Sequence, residues 1–563
     1  MKSSMIKLTV ILFLIGLQST AQINPYNYRL QKKVTAGNGA VVSAHPLASQ
    51  VGLLMLKKGG NAVDAAIATQ LALAVVYPGA GNIGGGGFLV GHLSNGKNIA
   101  IDYREKAPSK ASRDMYLDSA GNAQMTLSQE GHLAAGVPGT IAGLFASMKY
   151  AKLPFKTLIQ PAIDLAEKGF VLTDAQVEDF NQGAQDFLRL NKTPVAFVKE
   201  GGWKKGDTLI QKELANTLKR IRDRGARGFY EGETARLIVA EMQKGNGIIT
   251  LGDLKNYAAK DRTAIQFNYH GYEIVSMPLP SSGGIMLQQL LGMIAGKNIA
   301  AMKFQTPASV QLMTEAERRS YADRAEFLGD ADFVKVPVKK LTSGNYLKER
   351  MKDYDPLKAG SSTATVAGII PESEETTHLS VMDAAGNAVS VTTTLNNHFG
   401  SRTVVGGAGF ILNDEMDDFS VKAGVPNMYG AVGNEKNAIA PGKRMLSSMT
   451  PTIVLKDKKP YLVVGTPGGT TIISSVFQSI VNVIDFGMGA EDAVNKPKFH
   501  HQWLPDVIFV ENDFDAGTIT ALEAMGYKVN KRGNIGRTEM IEIKDGKIIA
   551  VGDKRGDDTA EGY

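Results

Sequence analysis

Two runs near the middle of this chain alternate in a way that few local structures can satisfy. Residues 376–382 (Thr-Thr-His-Leu-Ser-Val-Met) and 388–395 (Ala-Val-Ser-Val-Thr-Thr-Thr-Leu) put polar and apolar side chains on opposite faces. Between them, Asp383-Ala384-Ala385-Gly386-Asn387 has the composition of a tight connection. A β-hairpin symmetric about Ala385 sets Thr376 opposite Thr394, and cross-strand partners share a face. One face then carries Thr376, His378, Ser380, Ser390, Thr392 and Thr394. The other carries Leu379, Val381, Val389, Val391 and Leu395. Read alone, this is an ordinary sheet hairpin with a half-buried face.

The chain has 563 residues, a length compatible with roughly two to four domains or with one large α/β unit. Its apolar fraction of 43% and charged fraction of 21% are those of a globular protein, which excludes a disordered one. The net charge of +6 is small for the length, with no basic run interleaved with aromatics, so nucleic acid is not an expected partner. Lys2 and Lys7 precede an apolar run at 8–17, and Ser19-Thr20-Ala21 follow, which is the layout of a cleavable secretory signal over 1–21. That run is short of the ~20 residues a spanning helix requires, so no membrane anchor is expected and the product is placed in the periplasm or outside the cell. With no Cys there is neither a disulfide framework nor a lipidated Cys.

The order of elements reads as α/β. A short strand at 40–44 leads to a helix from Pro46 to Lys58, and Asn61 caps a second, alanine-rich helix that ends at Tyr77-Pro78. The glycine run 79–87 lacks a Gly-Lys-Ser/Thr ending and leads into a strand, so it is read as a place where backbones pass closely and not as a phosphate loop. Arg104 ends a strand over 98–103, where an arginine is usually a solvated surface charge; the other reading is a planar fork for a carboxylate. The charges of a helix over 307–328 are read as a solvated face. Residues 361–371 read as an exposed connector, and 410–413 as a short strand. The cluster Asp414, Glu415, Asp417 and Asp418 lacks the spaced ligands of a calcium loop, so no metal is expected. The long polar segment 420–444, with Tyr429 near its middle, has the length of a lid. Gly465-Thr466-Pro467-Gly468-Gly469 joins a strand to a helix; read alone it is a structural turn, though its backbone amides can also stabilise an oxyanion.

As an ordered set, these motifs resemble the γ-glutamyltranspeptidase family of N-terminal nucleophile hydrolases. The resemblance runs from about residue 39 to the C-terminus. It is carried by Gly60-Asn61-Ala62-Val63-Asp64-Ala65-Ala66, Gly81-Asn82-Ile83-Gly84-Gly85-Gly86-Gly87-Phe88 and Asp102-Tyr103-Arg104-Glu105 in the first half. Thr376-Thr377-His378, Asn413-Asp414-Glu415-Met416-Asp417-Asp418-Phe419, Pro441-Gly442-Lys443-Arg444, Leu446-Ser447-Ser448-Met449 and Pro467-Gly468-Gly469 follow in the second.

The resemblance implies a four-layer αββα sandwich, self-cleaved between Glu375 and Thr376 into interlocked large (22–375) and small (376–563) subunits. It implies Thr376 as nucleophile, Thr394 as its helper and the amides of Gly468 and Gly469 as oxyanion donors. Arg104, Ser447 and Ser448 would hold the α-carboxylate of a glutamyl group, and Asn396, Glu415 and Asp418 its α-ammonium. Tyr429 would close the pocket. The implied substrate is glutathione or another γ-glutamyl compound, with water or an amino acid or dipeptide as acceptor and no cofactor. Two positions depart from the family: Glu415 where some relatives have Gln, and Met445 where Pro is usual, a change expected to loosen the serine loop. His378 is assigned a supporting hydrogen bond, since a freed α-amine makes a histidine base unnecessary. Two other readings are a cephalosporin-acylase-like amidase and a γ-glutamyl-binding protein that does not cleave itself.

Overall fold

A computed structural model describes residues 23–362 and 376–563. The segment read as a signal, Glu375 and all but the first two residues of the connector read at 361–371 lie outside them.

The alternating hairpin forms with the register its pattern dictates: Thr376–Met382 pairs antiparallel with Ala388–Thr394, Thr376 facing Thr394 and His378 facing Thr392. Asp383 organises the turn, accepting from the amides of Ala385 (2.9 Å) and Asn387 (3.0 Å), while Gly386 takes the positive φ of 83°. The other oxygen of Asp383 accepts from Ala62 N at 2.9 Å, joining the hairpin to the start of the helix Ala62–Val76. That start is a capping box, in which Asn61 Oδ1 accepts from Asp64 N and Asp64 Oδ2 accepts from Asn61 N.

The hairpin is the centre of a seven-stranded antiparallel sheet. Ala40–Ser43 and Gly86–His92 flank it, followed by Thr559–Gly562 at one edge and Asn98–Asp102 and Lys260–Arg262 at the other. A second seven-stranded sheet centres on Lys459–Gly465 and packs face to face with the first. It too takes strands from both sides of Thr376: Lys33–Ala36, Ile265–Tyr269 and Tyr272–Ser276 before, Thr452–Lys456, Glu539–Lys544 and Lys547–Val551 after. Neither part of the chain has a complete sheet of its own, so the two form one unit.

Each face of the hairpin meets a different layer. Leu379, Val381, Val389 and Val391 pack into the core under the helices Pro46–Lys57 and Ala62–Val76. Helices Gly283–Ile294, Pro307–Phe327 and Thr471–Ile484 cover the far side of the second sheet, which completes an αββα sandwich. The hydroxyl face lies between the sheets, where every residue of both hairpin strands is buried. The expected half-buried hairpin is therefore wrong on this point: its polar face is buried, and two of its serines find partners on the opposing layer. Ser380 Oγ donates to Glu539 O (3.0 Å), and Ser390 Oγ donates to Val464 O (3.2 Å) and accepts from Thr452 N (3.0 Å). The glycine run passes backbone close to backbone as expected: a Cβ on Gly84 or Gly85 would lie 2.1 Å from the carbonyl oxygen of Ile411 or Thr394.

Two further expectations fail. The charged helix Pro307–Phe327 has no solvated charged face, since Glu315, Glu317, Arg318, Arg319, Asp323 and Arg324 are all buried and only Glu326, near its end, is exposed. It is covered by later segments that supply partners, such as Asp353 for Arg319 at 2.7 Å and Ser362 for Arg318 at 2.6 Å. Residues 410–413 are not a strand but make a single bridge, Val404 to Ile411, because Gly407 and Gly409, at φ 75° and 76°, turn the chain back at once.

His378 sits in the polar seam with Nδ1 2.9 Å from Thr392 Oγ1 and Nε2 3.1 Å from Ser380 Oγ. Burial pulls its pKa down to about 3, below its ordinary 6.5. The unfolded chain therefore binds a proton that the folded chain refuses, and stability is lost as pH falls from about 6.5 toward 3. His378→Gln should lower stability at pH 7.5 yet flatten this decline, as read by denaturant midpoints measured from pH 7.5 to 4. An unchanged slope would contradict this account.

Candidate active site

Thr376 heads the first hairpin strand at the rim of the inter-sheet seam and is only 6% exposed. Its hydroxyl lies 3.5 Å from that of Thr394, the partner the register predicts. Thr394 Oγ1 also accepts from Asn396 N at 2.7 Å, in a left-handed turn (φ 79°) that ends the second strand. These groups face a recess that Arg104, Glu415, Asp418, Tyr429, Ser447, Ser448 and Gly469 also line. Every residue expected at the site lines this recess except Gly468, which immediately precedes Gly469, and Glu375, which lies outside the described residues.

Charge is concentrated at one end. The Asn98–Asp102 strand delivers Arg104, whose side chain is buried and whose backbone N donates to Asp102 Oδ1 (3.0 Å). Its guanidinium donates from Nη1 to Glu415 and from Nη2 to Asp418, with Glu105 at 3.4 Å. Burial opposes the Arg104 charge, but Glu415, Asp418 and Glu105 outweigh it, and its pKa is raised. Burial raises the pKa of all three carboxyls, against the pull of Arg104. The sequence-based reading gave Arg104 to a ligand's α-carboxylate and the acidic pair to its α-ammonium. In the structure they touch, because a buried guanidinium takes the nearest carboxylates.

The serines face this charge from a different loop. Ser447 N donates to Pro280 O (2.9 Å), Ser447 O accepts from both Ser282 N and Ser282 Oγ (2.8 Å each), and Ser447 Oγ accepts from Met449 N (3.1 Å). Ser448 Oγ accepts from Arg324 at 3.2 Å. Met445, where Pro was expected, has a buried side chain, and its carbonyl accepts from Arg104 Nε at 3.4 Å.

At the other end, the strand Lys459–Gly465 and the helix Thr471–Ile484 are joined by a turn with Gly468 at φ 134° and Gly469 at φ 53°. Only glycine adopts both without strain, and a Cβ on Gly469 would lie 2.7 Å from the Tyr429 ring. Tyr429 belongs to the long polar segment, is 4% exposed, and donates its hydroxyl to Asn396 O. Asn427 holds this part of the segment in place: its Oδ1 accepts from Tyr429 N and Ala431 N (3.0 Å each), and its Nδ2 donates to Asp418 (3.1 Å). The segment thus folds over the recess and is tied to the acidic cluster below it.

Sequence reasoning missed Arg324 and Asn427, both of which line the recess. Arg324 lay in the helix whose charges were read as solvated, and nothing local marks Asn427. The arrangement sets a hydroxyl pair at the centre, charges of both signs on one side, and a turn of positive-φ glycines on the other. That suits acyl transfer from an amide whose acyl part is zwitterionic.

Residues 48–563 match the family model described as gamma-glutamyltranspeptidase. A relative from Escherichia coli K12, named glutathione hydrolase proenzyme, is 47% identical over 550 residues, covering 96% of this chain and 95% of the relative. Among solved structures, cephalosporin acylase from Bacillus halodurans superposes with a TM-score of 0.82 at 26% identity, covering 97% of this chain and 99% of that one. Helicobacter pylori gamma-glutamyltranspeptidase gives a TM-score of 0.55 at 45% identity, covering 59% of this chain and 93% of that one. The chain belongs to the gamma-glutamyltranspeptidase family and is an enzyme of the N-terminal nucleophile class.

The Tyr429 hydroxyl bond should hold the covering segment closed. Tyr429→Phe should speed amide hydrogen exchange at residues 427–431 and leave the strand Thr376–Met382 unchanged. Equal protection in both proteins would show that the bond does not hold the segment.

Proposed function

We propose that this member of the gamma-glutamyltranspeptidase family cuts itself between Glu375 and Thr376 and then cleaves γ-glutamyl amides, glutathione among them, through an ester on Thr376. The observation that carries this reading is the Thr376 hydroxyl, 3.5 Å from Thr394 Oγ1 and beside the two-signed charge cluster.

While Thr376 is inside the chain its nitrogen is an amide and cannot serve as a base. Cleavage frees an α-amine, whose pKa in peptides is about 7.7–8.0. That amine takes the hydroxyl proton as Thr376 Oγ1 bonds to the γ-carbonyl carbon, and Thr394 orients the hydroxyl. The tetrahedral oxyanion rests on the amides of Gly468 and Gly469. Collapse breaks the C–N bond, and the proton passes from the α-amine to the leaving nitrogen. Water or the amine of an amino acid or dipeptide then attacks the ester, which completes hydrolysis or transfer and restores Thr376.

The acyl group is selected by charge. Arg104, Ser447 and Ser448 take the α-carboxylate, and Asn396, Glu415 and Asp418 take the α-ammonium. A zwitterionic glutamyl group exchanges its own charges for the Arg104–Glu415/Asp418 contacts, so the buried charges stay paired as it enters. Tyr429 closes the recess over it. The chemistry needs no cofactor or metal.

The large subunit is 22–375 and the small one 376–563. Residues 1–21 direct export to the periplasm or beyond, and no helix among the described residues is long and apolar enough to cross a membrane. The acylase-type fold neighbour offers a second acyl specificity, but Arg104, Ser447, Ser448 and Asp418 converging on one recess favour glutamyl.

Denaturing electrophoresis with N-terminal sequencing should give two fragments, the smaller beginning at Thr376. Thr376→Ala should remain one chain and release no p-nitroaniline from γ-glutamyl p-nitroanilide. Arg104→Ala should still cut itself but raise KM by at least about tenfold, the low end for losing hydrogen bonds between charged groups. An uncut wild-type chain sinks the enzyme reading, and an unchanged KM sinks the carboxylate assignment.

A further inference from the structure

Arg324 is the unexplained charge at this site. It lies in the last turn of the helix Pro307–Phe327, 8% exposed, and lines the recess with Thr376. The same helix face meets the opposite end of the recess three residues earlier, where Tyr321 donates its hydroxyl to Thr470 O beside the glycine turn. Arg104 is neutralised by direct contact with Glu415 and Asp418. Arg324 instead spends its donors on hydroxyls: Nη2 on Ser448 Oγ and Nε on Ser282 Oγ, each at 3.2 Å. Burial pulls its pKa down and Asp418 pulls it back up; even so, an arginine stays protonated.

A serine hydroxyl has one proton and two lone pairs. Once a guanidinium occupies a lone pair, the proton is left to point elsewhere, and the hydroxyl becomes a committed donor. This is visible at Ser282, whose Oγ accepts from Arg324 and donates to Ser447 O at 2.8 Å. The same logic at Ser448 turns its O–H toward the recess, where an anion can accept it, and the adjoining positive charge polarises that bond.

We propose that Arg324 is a positioning residue for acyl-group selection: acting through Ser448, it makes the serine loop a donor to the substrate's α-carboxylate. This deepens the γ-glutamyl reading and rests on it.

The test compares two anilides. γ-Glutamyl p-nitroanilide carries the α-carboxylate, and 4-aminobutanoyl p-nitroanilide lacks only that group. The quantity read is the ratio of their kcat/KM values, on self-cut enzyme whose small subunit is shown to begin at Thr376. Wild type should prefer the first; no preference would defeat the underlying carboxylate reading and with it this proposal. Given a preference, Arg324→Gln should shrink the ratio about 10- to 100-fold through KM for the γ-glutamyl substrate, the range for one hydrogen bond to a charged group. Ser448→Ala should shrink it comparably, and the double variant by no more than about twofold beyond either single one. Arg324→Lys keeps the charge but not the fork, and should fall between wild type and Arg324→Gln. If Arg324→Gln does not yield folded protein, a selective loss in Arg324→Lys supports the proposal and an unchanged ratio overturns it. Equal loss on both anilides, or losses that add fully in the double variant, would also overturn it and leave the carboxylate reading standing.

Discussion

The antiparallel pairing of Thr376–Met382 with Ala388–Thr394 is the constraint on which the rest of the molecule depends. A slip of one residue would turn Leu379, Val381, Val389 and Val391 into the polar seam and force His378, Ser380 and Ser390 under the helices. The register is over-determined: the apolar face is claimed by the Ala62–Val76 helix, and the hydroxyl face by backbone groups of the opposing sheet. Because that register is rigid, the Thr376 and Thr394 hydroxyls are neighbours by construction, and the proposed nucleophile is placed by a core and not by a loop.

The second organising force is electrostatic. The recess holds Arg104 against Glu415 and Asp418, with Glu105 close by, all deep enough for burial to oppose every charge. Such a set persists only when its members satisfy one another, and breaking one contact leaves its partners exposed to the full desolvation penalty. A ligand bearing both signs can replace those contacts without uncovering a bare charge, whereas a singly charged one cannot. The same balance accounts for the interlocked fold. Arg104 comes from one side of Thr376 and Glu415 and Asp418 from the other, so the site exists only while the two parts of the chain share their sheets.

Much of this was legible in the residues. Asn61 announces a capped helix, and such a helix forms there. The two-residue period of 376–395 announces both the hairpin and the pairing of Thr376 with Thr394, because a strand's side-chain period is a local geometric property. The glycines at 84–87 announce close backbone approach without naming what approaches; it proves to be the carbonyl oxygens of Ile411 and Thr394. The helix Pro307–Phe327 was misread because a charge pattern records polarity and not exposure. Whether Arg318, Arg319 and Arg324 meet water or other side chains depends on segments far away in the chain.

The amino-acid sequence by itself determined the local periods, the caps, the hairpin register and, through its ordered motifs, the family. Only the tertiary structure decided that the hydroxyl face lies inside the sandwich, that Arg104 contacts the acidic pair directly, and that Arg324 and Asn427 belong to the recess. The physical reason is one of range. Backbone dihedrals and short hydrogen-bonded turns are set by neighbours a few residues apart, whereas burial and charge pairing are set by whatever layer the fold brings against a face.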